Sequence, residues 1–242
     1  MRALVFTLRL NSLYSIRLPF TWMSALTLPL LPPSAIKGIL ANALQRYKND
    51  KHPLEYLELV EDAVVWAGSR LISPCVVKSY IVSVITKWEV NYGMKTTNAL
   101  GRQFAFTKEM DVAVILKNEN LLEDLIEALM SSPVTCGDSE SAAAIKKVFV
   151  KDVSVVEGNI VSTGFPILYN ENISLLEGSG RIYPMHEKCL KSEDGLPLLN
   201  YIVPLVEERG ILKPARITVK VKNEAVRVLS IEGVDNAVVL LR

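Results

Sequence analysis

Thr27-Leu-Pro-Leu-Leu-Pro-Pro-Ser-Ala-Ile-Lys-Gly38 is the stretch on which the fold turns. Pro29, Pro32 and Pro33 hold the chain extended, and Ser34 then stands where a helix cap is wanted. Ile36, Leu40, Ala43, Leu44 and Tyr47 follow at helical spacing, which predicts a helix from Ser34 to about Lys48 packed on a core. The free amides of such a helix start form an anion site, and Lys37 in the first turn adds positive charge. Gly38 costs about 1 kcal/mol against Ala inside a helix, which makes sense where another backbone comes close. A tight helix–sheet contact with no ligand explains the same residues. The spacing of a phosphate-binding Walker loop is absent.

Working outward, residues 1–10 (MRALVFTLRL) read as a strand and residues 21–28 as a second extended segment. Residues 54–69 are expected to form another helix, with Glu55, Glu58, Glu61 and Asp62 on its polar side. The Val/Ile/Ser/Thr-rich run 71–90 and the run 102–116 suit strands. Between them, residues 91–101 are polar, carry two glycines and look like an exposed hairpin tip. An amphipathic helix is expected over 120–131, a turn over 136–141 and a strand over 148–156.

The order is therefore strand, helix, two strands, helix, strand. This is the α+β, ferredoxin-like βαββαβ arrangement shared with RRM domains. The domain it implies covers 1–156, and residues 157–242 are expected to form a β-rich C-terminal extension packed on it. Hairpins are expected there around Gly158 and Asn223, with an irregular middle over 173–195.

The chain has 242 residues, 50% of them hydrophobic and 22% charged, with a formal net charge of +1. This composition excludes a disordered chain and a coat of positive charge. The average conceals an asymmetry. Residues 1–49 hold six basic residues and no acid, which leaves −5 for the rest. A polyanion partner and a solvated basic face both fit that pattern. Cys75, Cys136 and Cys189 are odd in number and far apart, so neither a zinc site nor a disulfide framework is expected. The uncharged run 18–36 is broken by four prolines and is no membrane span. No signal peptide is apparent, so a cytoplasmic protein with reduced thiols is expected.

Two further stretches carry chemistry. Alternation along Arg102-Gln103-Phe104-Ala105-Phe106-Thr107-Lys108 puts Arg102, Phe104 and Phe106 on one strand face. A basic and aromatic stripe stacks bases and holds phosphates; two phenylalanines in a core explain it equally. The residues around the tip, Lys87, Trp88, Tyr92, Met94 and Lys95, suit insertion into a nucleic acid or a partner surface, or fold back onto the body. Catalysis has little support. His52 and His186 are the only histidines, His52 lies in a loop between helices, and no hydrolase or metalloprotease motif occurs. Asp138 and Glu140 fit a turn better than a cation site.

At the level of whole motifs, residues 27–40 resemble the N-terminal signature of the CRISPR-associated RAMP proteins of family five. Residues 102–110 (RQFAFTKEM), Gly137-Asp-Ser-Glu-Ser141 and residues 201–209 (YIVPLVEER) resemble its archaeal type I-A branch, in the same order. The resemblance implies a RAMP core with a protruding β-hairpin thumb at about 78–108. It implies a subunit of a type I-A Cascade complex that grips the crRNA 5′ handle and docks on the backbone and large subunits. On that pattern Ser34, Lys37 and Gly38 meet the handle backbone, Lys87, Trp88, Tyr92 and Lys95 lie on the thumb, and Arg102 and Lys108 lie at its base, with Phe104 of the strand stripe counted among the expected RNA contacts. The type I-C branch cuts crRNA with a Tyr, Lys and His set. Here no histidine lies in or just after the thumb, so a non-catalytic role without metal or cofactor is expected. A metal-independent crRNA endoribonuclease and a protein-only scaffold are the rival readings.

Overall fold

The computed structural model describes residues 1–21, 24–89, 94–138, 141–156, 158–190, 195–222, 227–234 and 238–241. In chain order the first half runs β1 (Arg2–Leu10), β2 (Ser24–Ala25), α1 (Pro33–Lys48), α2 (Pro53–Ala63), β3 (Val64–Leu71), β4 (Cys75–Glu89), β5 (Met94–Thr107), β6 (Glu109–Leu116), α3 (Leu122–Ser131), β7 (Val134–Thr135) and β8 (Ala142–Val155). Among the described residues, the regular elements of the second half are all strands: β9 (Ile160–Thr163), β10 (Ile167–Leu168), β11 (Ile173–Gly178), β12 (Arg181–His186), β13 (Leu198–Val203), β14 (Leu205–Glu208), β15 (Ile211–Pro214), β16 (Ile217–Val221), β17 (Arg227–Ile231) and β18 (Val238–Leu241). The protein is a mixed α/β chain, rich in strands and poor in helices.

A central sheet runs β18-β17-β8-β1-β6-β3, with β7 beside β8. The pairs β8–β1, β1–β6 and β6–β3 are all antiparallel. Each helical crossover, from β1 to β3 and from β6 to β8, therefore skips one strand. The alternation of β1 divides the interior. Leu4, Phe6, Leu8 and Leu10 join the main core with α1 and α3, and Ala3 and Val5 join a second cluster on the opposite face. Ile36, Leu40 and Leu44 of α1 are each at most 1% exposed, a burial worth roughly 1.5–3 kcal/mol per side chain.

Between β3 and β6 the chain leaves the central sheet as a long hairpin, β4 and β5, paired from Cys75–Thr107 out to Glu89–Met94. Its base is anchored by Tyr14, whose N–H and C=O both bond Ala105 at 2.9 and 2.8 Å. The Tyr14 hydroxyl donates to the Pro29 carbonyl, which ties the hairpin to the proline-rich approach to α1.

Several expectations are corrected. The helix expected over 54–69 stops at Ala63, because Val64-Val65-Trp66 is claimed by the ladder to β6. The run 102–116 is two strands. Ser73 Oγ accepts from the N–H groups of Lys108 and Glu109, which marks the change of sheet between them. Among the described residues no hairpin forms across Gly158, since β9 pairs with β16, and β16 does not pair with β17, since β17 pairs with β8 and β18; Asn223 itself lies outside those residues. Residues 173–195 are not irregular throughout: β11 pairs with β16, and β12 with β13.

Candidate nucleic-acid interface

The start of α1 differs from its expected geometry. Pro32 is the N-cap residue, no side chain caps the helix, and Ser34 sits in the first turn. The Ser34 carbonyl accepts from the Cys189 thiol at 2.8 Å. Lys37 does not add an outward charge. Its side chain is 6% exposed, with Nζ 2.8 Å from Glu61 Oε2, and the other oxygen of Glu61 accepts from the Cys189 N–H. A lysine on the inner side of α1 reaches the one acid of α2 that faces it, so a local charge reading misdirects here.

Gly38 has open space where a side chain would stand, with nothing within 4 Å of a built Cβ. A cavity of about 460 Å³ lies there, lined by Ala35, Gly38, Asn42, Arg46, Thr135 and Gly137. No described residue makes the close approach the glycine suggested, and the space is open on the outer side of α1. Its far wall is built by Val134, Thr135 and the turn at Gly137. Gly137 has φ +88°, and a Cβ there would fall 2.5 Å from the Ser15 carbonyl, so only glycine fits. Ser141 donates to the Leu13 carbonyl at 2.8 Å and to Asp138.

The same turn reaches the hairpin. Asp138 accepts from the Arg102 guanidinium, whose Cζ lies 4.6 Å above the centre of the Phe104 ring. Ala105 and Thr107 are fully buried, whereas Phe106 and Lys108 are exposed. Register puts Lys78 opposite Phe104, Tyr80 opposite Arg102 and Val76 opposite Phe106 on the same face. Tyr80 packs edge-on to Phe104 at 5.8 Å. Arg102, Phe104, Phe106, Lys78 and Tyr80 thus form one outward basic and aromatic surface, and the reading of two core phenylalanines is set aside. Sequence alone does not single out Lys78 and Tyr80. Their i, i+2 spacing on a strand is the available signal, once the pairing to residues 102–104 is known.

At the hairpin end, the backbones of Lys87, Trp88 and Lys95 belong to the β4–β5 ladder, while their side chains and all of Tyr92 lie outside the described residues. His52 caps α2: its Nδ1 accepts from the Leu54 N–H at 3.3 Å, and Glu55 returns a bond to the His52 N–H. His186 meets the Pro197 carbonyl. Among the described residues no cluster of His, Cys, Asp or Glu fits a metal ion, and no helix is long and apolar enough to cross a membrane. All three thiols are free. Burial pushes Cys136 up to about 12 and Cys189 up to about 11, with Asp138 and Glu61 respectively adding to the rise.

A strand-rich α/β core that projects a long hairpin with a basic and aromatic base is the class these features define. A family model described as "CRISPR-associated protein (Cas_Cas5)" matches residues 5–158, and the chain belongs to that family. The structure is similar to that titled "Crystal structure of a CRISPR protein from Archaeoglobus fulgidus", with TM-score 0.65 and 13% identity over 100% of this chain and 99% of that one. Weaker likenesses, each over 88% of this chain, are to a chain of a type III-B Cmr-beta complex bound to cognate target RNA and AMPPnP (TM-score 0.49, 13% identity, 86% of that chain) and to a chain of a CRISPR RNA-guided surveillance complex (0.46, 12%, 91%). No curated protein matches significantly in sequence.

Proposed function

We propose that this chain is the crRNA-binding subunit of a type I-A Cascade complex, archaeal in type, that grips the 5′ handle and docks on the backbone and large subunits without cutting RNA. The order β8-β1-β6-β3 with two strand-skipping crossovers fits a ferredoxin-like RAMP core, with β4 and β5 as its thumb. The observation that carries the reading is the outward surface of Arg102, Phe104, Phe106, Lys78 and Tyr80. Aromatic faces stack on bases without regard to sequence, and flanking cations hold phosphates. Asp138 and the Phe104 ring fix the Arg102 guanidinium in place, which limits the rotamer entropy lost on binding. The cavity beside Gly38 is a second contact that fits a sugar–phosphate segment at close quarters.

Lys37 has no part in this reading, since its ammonium is held by Glu61. The reading without catalysis is supported by His52, whose imidazole is engaged as a helix cap rather than paired with an acid–base partner. The test is reconstitution of the complex with crRNA, using the Lys78→Glu/Arg102→Ala/Phe104→Ala variant. The expected result is a loss of handle affinity of at least tenfold with an unchanged thermal melt. Normal affinity overturns the assignment. Site-specific ultraviolet crosslinking that finds no RNA on this chain would establish the protein-only scaffold instead.

A further inference from the structure

The central sheet has a second face, away from α1, α3 and the buried side of the hairpin. In its middle, Ala3, Val5, Ala113 and Ile115 are covered by Trp66, Phe165 and Val234. Phe165 is fully buried, meets Trp66 edge-on at 5.7 Å and lies 5.2 Å beneath the Arg70 guanidinium. The two central strands, where a bare sheet of this kind has room for stacked bases, are thus plugged by the C-terminal part of the chain.

Beside the plug, β8 remains open. Register places Lys147 opposite Thr7, Phe149 opposite Val5 and Lys151 opposite Ala3, all on this face. Phe149 is 49% exposed between the two lysines, about 6.6 Å along the strand from each. Arg9 extends the same face and is exposed. Lys147 has no carboxylate partner among the described residues, and Arg9 stands opposite Glu109 without a hydrogen bond to it among those residues. Among the described residues, the acids that β6 places on this face are already engaged: Asp111 with Arg70 and Thr7, and Glu109 with Lys146, whose hydrogen bond holds the Glu109 carboxyl below its usual range. The outer edge of β8 is also unpaired over 144–151 among the described residues, since pairing with β7 stops at Ala143 and the Glu232 N–H, just past β17, bonds the Asp152 carbonyl.

We infer that the Lys147–Phe149–Lys151 stripe, with Arg9, is a second binding site for single-stranded nucleic acid, separate from the hairpin. The ring offers a stacking platform, and the cations on either side meet successive phosphates. Lysines alone on an open edge would suit a guard against strand pairing. A half-exposed phenylalanine between them does the reverse, since it invites contact. An acidic protein partner would use the cations and leave the ring without a purpose.

The test uses the full chain, 5′-fluorescein decauridylate as probe, and anisotropy from 50 to 200 mM KCl. Lys147→Glu/Lys151→Glu is expected to weaken binding at least tenfold and to flatten the slope of log affinity against log salt by about 0.7 for each phosphate no longer neutralised. Phe149→Ala is expected to weaken it about 5- to 100-fold, in line with the loss of one stacked base. Both effects are expected to persist in the Lys78→Glu/Arg102→Ala background, which separates this site from the hairpin and makes its failure distinguishable from failure there. Circular dichroism melts check that the variants fold. Wild-type affinity in both variants overturns the inference. So does a variant that dimerises with decauridylate affinity unchanged, which would make the lysines edge guards. Loss of binding to a polyglutamate probe alone, with decauridylate unaffected, would assign the face to an acidic protein.

Discussion

Lys37 of α1 and Glu61 of α2 form an ion pair of 2.8 Å with side chains 6% and 11% exposed, and the Cys189 backbone closes over it. The pair ties the start of α1 to α2 and to the C-terminal part of the chain. Buried pairs gain little over a well-packed apolar pair, but removing one partner leaves an uncompensated charge. Lys37→Met alone and Glu61→Leu alone are each expected to cost about 3–5 kcal/mol in urea denaturation. The double variant is expected to recover most of that loss. Additive costs would show that the pair is not the coupling element.

Gly38 gives a prediction that separates stability from binding. Its missing side chain faces open space, so Gly38→Ala is expected to raise stability by about 0.5–1 kcal/mol through helix propensity. Gly38→Phe would project into the 460 Å³ cavity, leave the melt near wild type and lower handle affinity at least tenfold. Thermal melts and binding titrations on the same preparations read both. Unchanged affinity in the Phe variant would show that nothing occupies the cavity.

The α1 helix was legible because its signals are local: three prolines set its start and apolar spacing sets its buried face. The outward stripe at Arg102, Phe104 and Phe106 was legible for the same reason, since alternation is a property of adjacent residues. The strand at Val64–Leu71 was hidden because no glycine or proline separates it from α2, and only pairing with β6 calls it into being. Partner choice in the C-terminal half was hidden more deeply. Gly158 and Asn223 are sound turn residues, but β9 and β17 find better partners 50 or more residues away in β16 and β8. The Lys37–Glu61 pair spans 24 residues and two helices, and no window of sequence contains it.

Cys136 makes the alkaline limb of stability sensitive to one residue. Burial, with Asp138 adding, pushes its thiol from about 9 up to about 12 in the folded chain. A group whose pKa is raised by folding contributes stability that is complete below its unfolded value and is lost as pH rises through the folded one. The decline attributable to Cys136 therefore falls between about pH 9 and 12. Cys136→Ala is expected to lower the melting temperature at pH 7 but to fall less steeply than wild type across that window. Parallel melting curves above pH 9 would show that the thiol is not a source of the decline.

His52 separates the catalytic rival from the reading proposed above. Its Nδ1 accepts from the Leu54 N–H, and Glu55 completes the reciprocal bond, so its place in the fold explains its presence without chemistry. Loss of such a cap is worth about 1 kcal/mol, so His52→Ala is expected to lower the melting temperature by about 2–4 °C. His52→Asn, which keeps a side-chain acceptor at the cap, is expected to restore most of it. Neither wild type nor either variant is expected to cut CRISPR repeat RNA in EDTA. A discrete product from wild type that disappears in both His52→Ala and His52→Asn would reverse the assignment: the asparagine restores the cap but cannot move a proton, so a merely structural role would spare its activity.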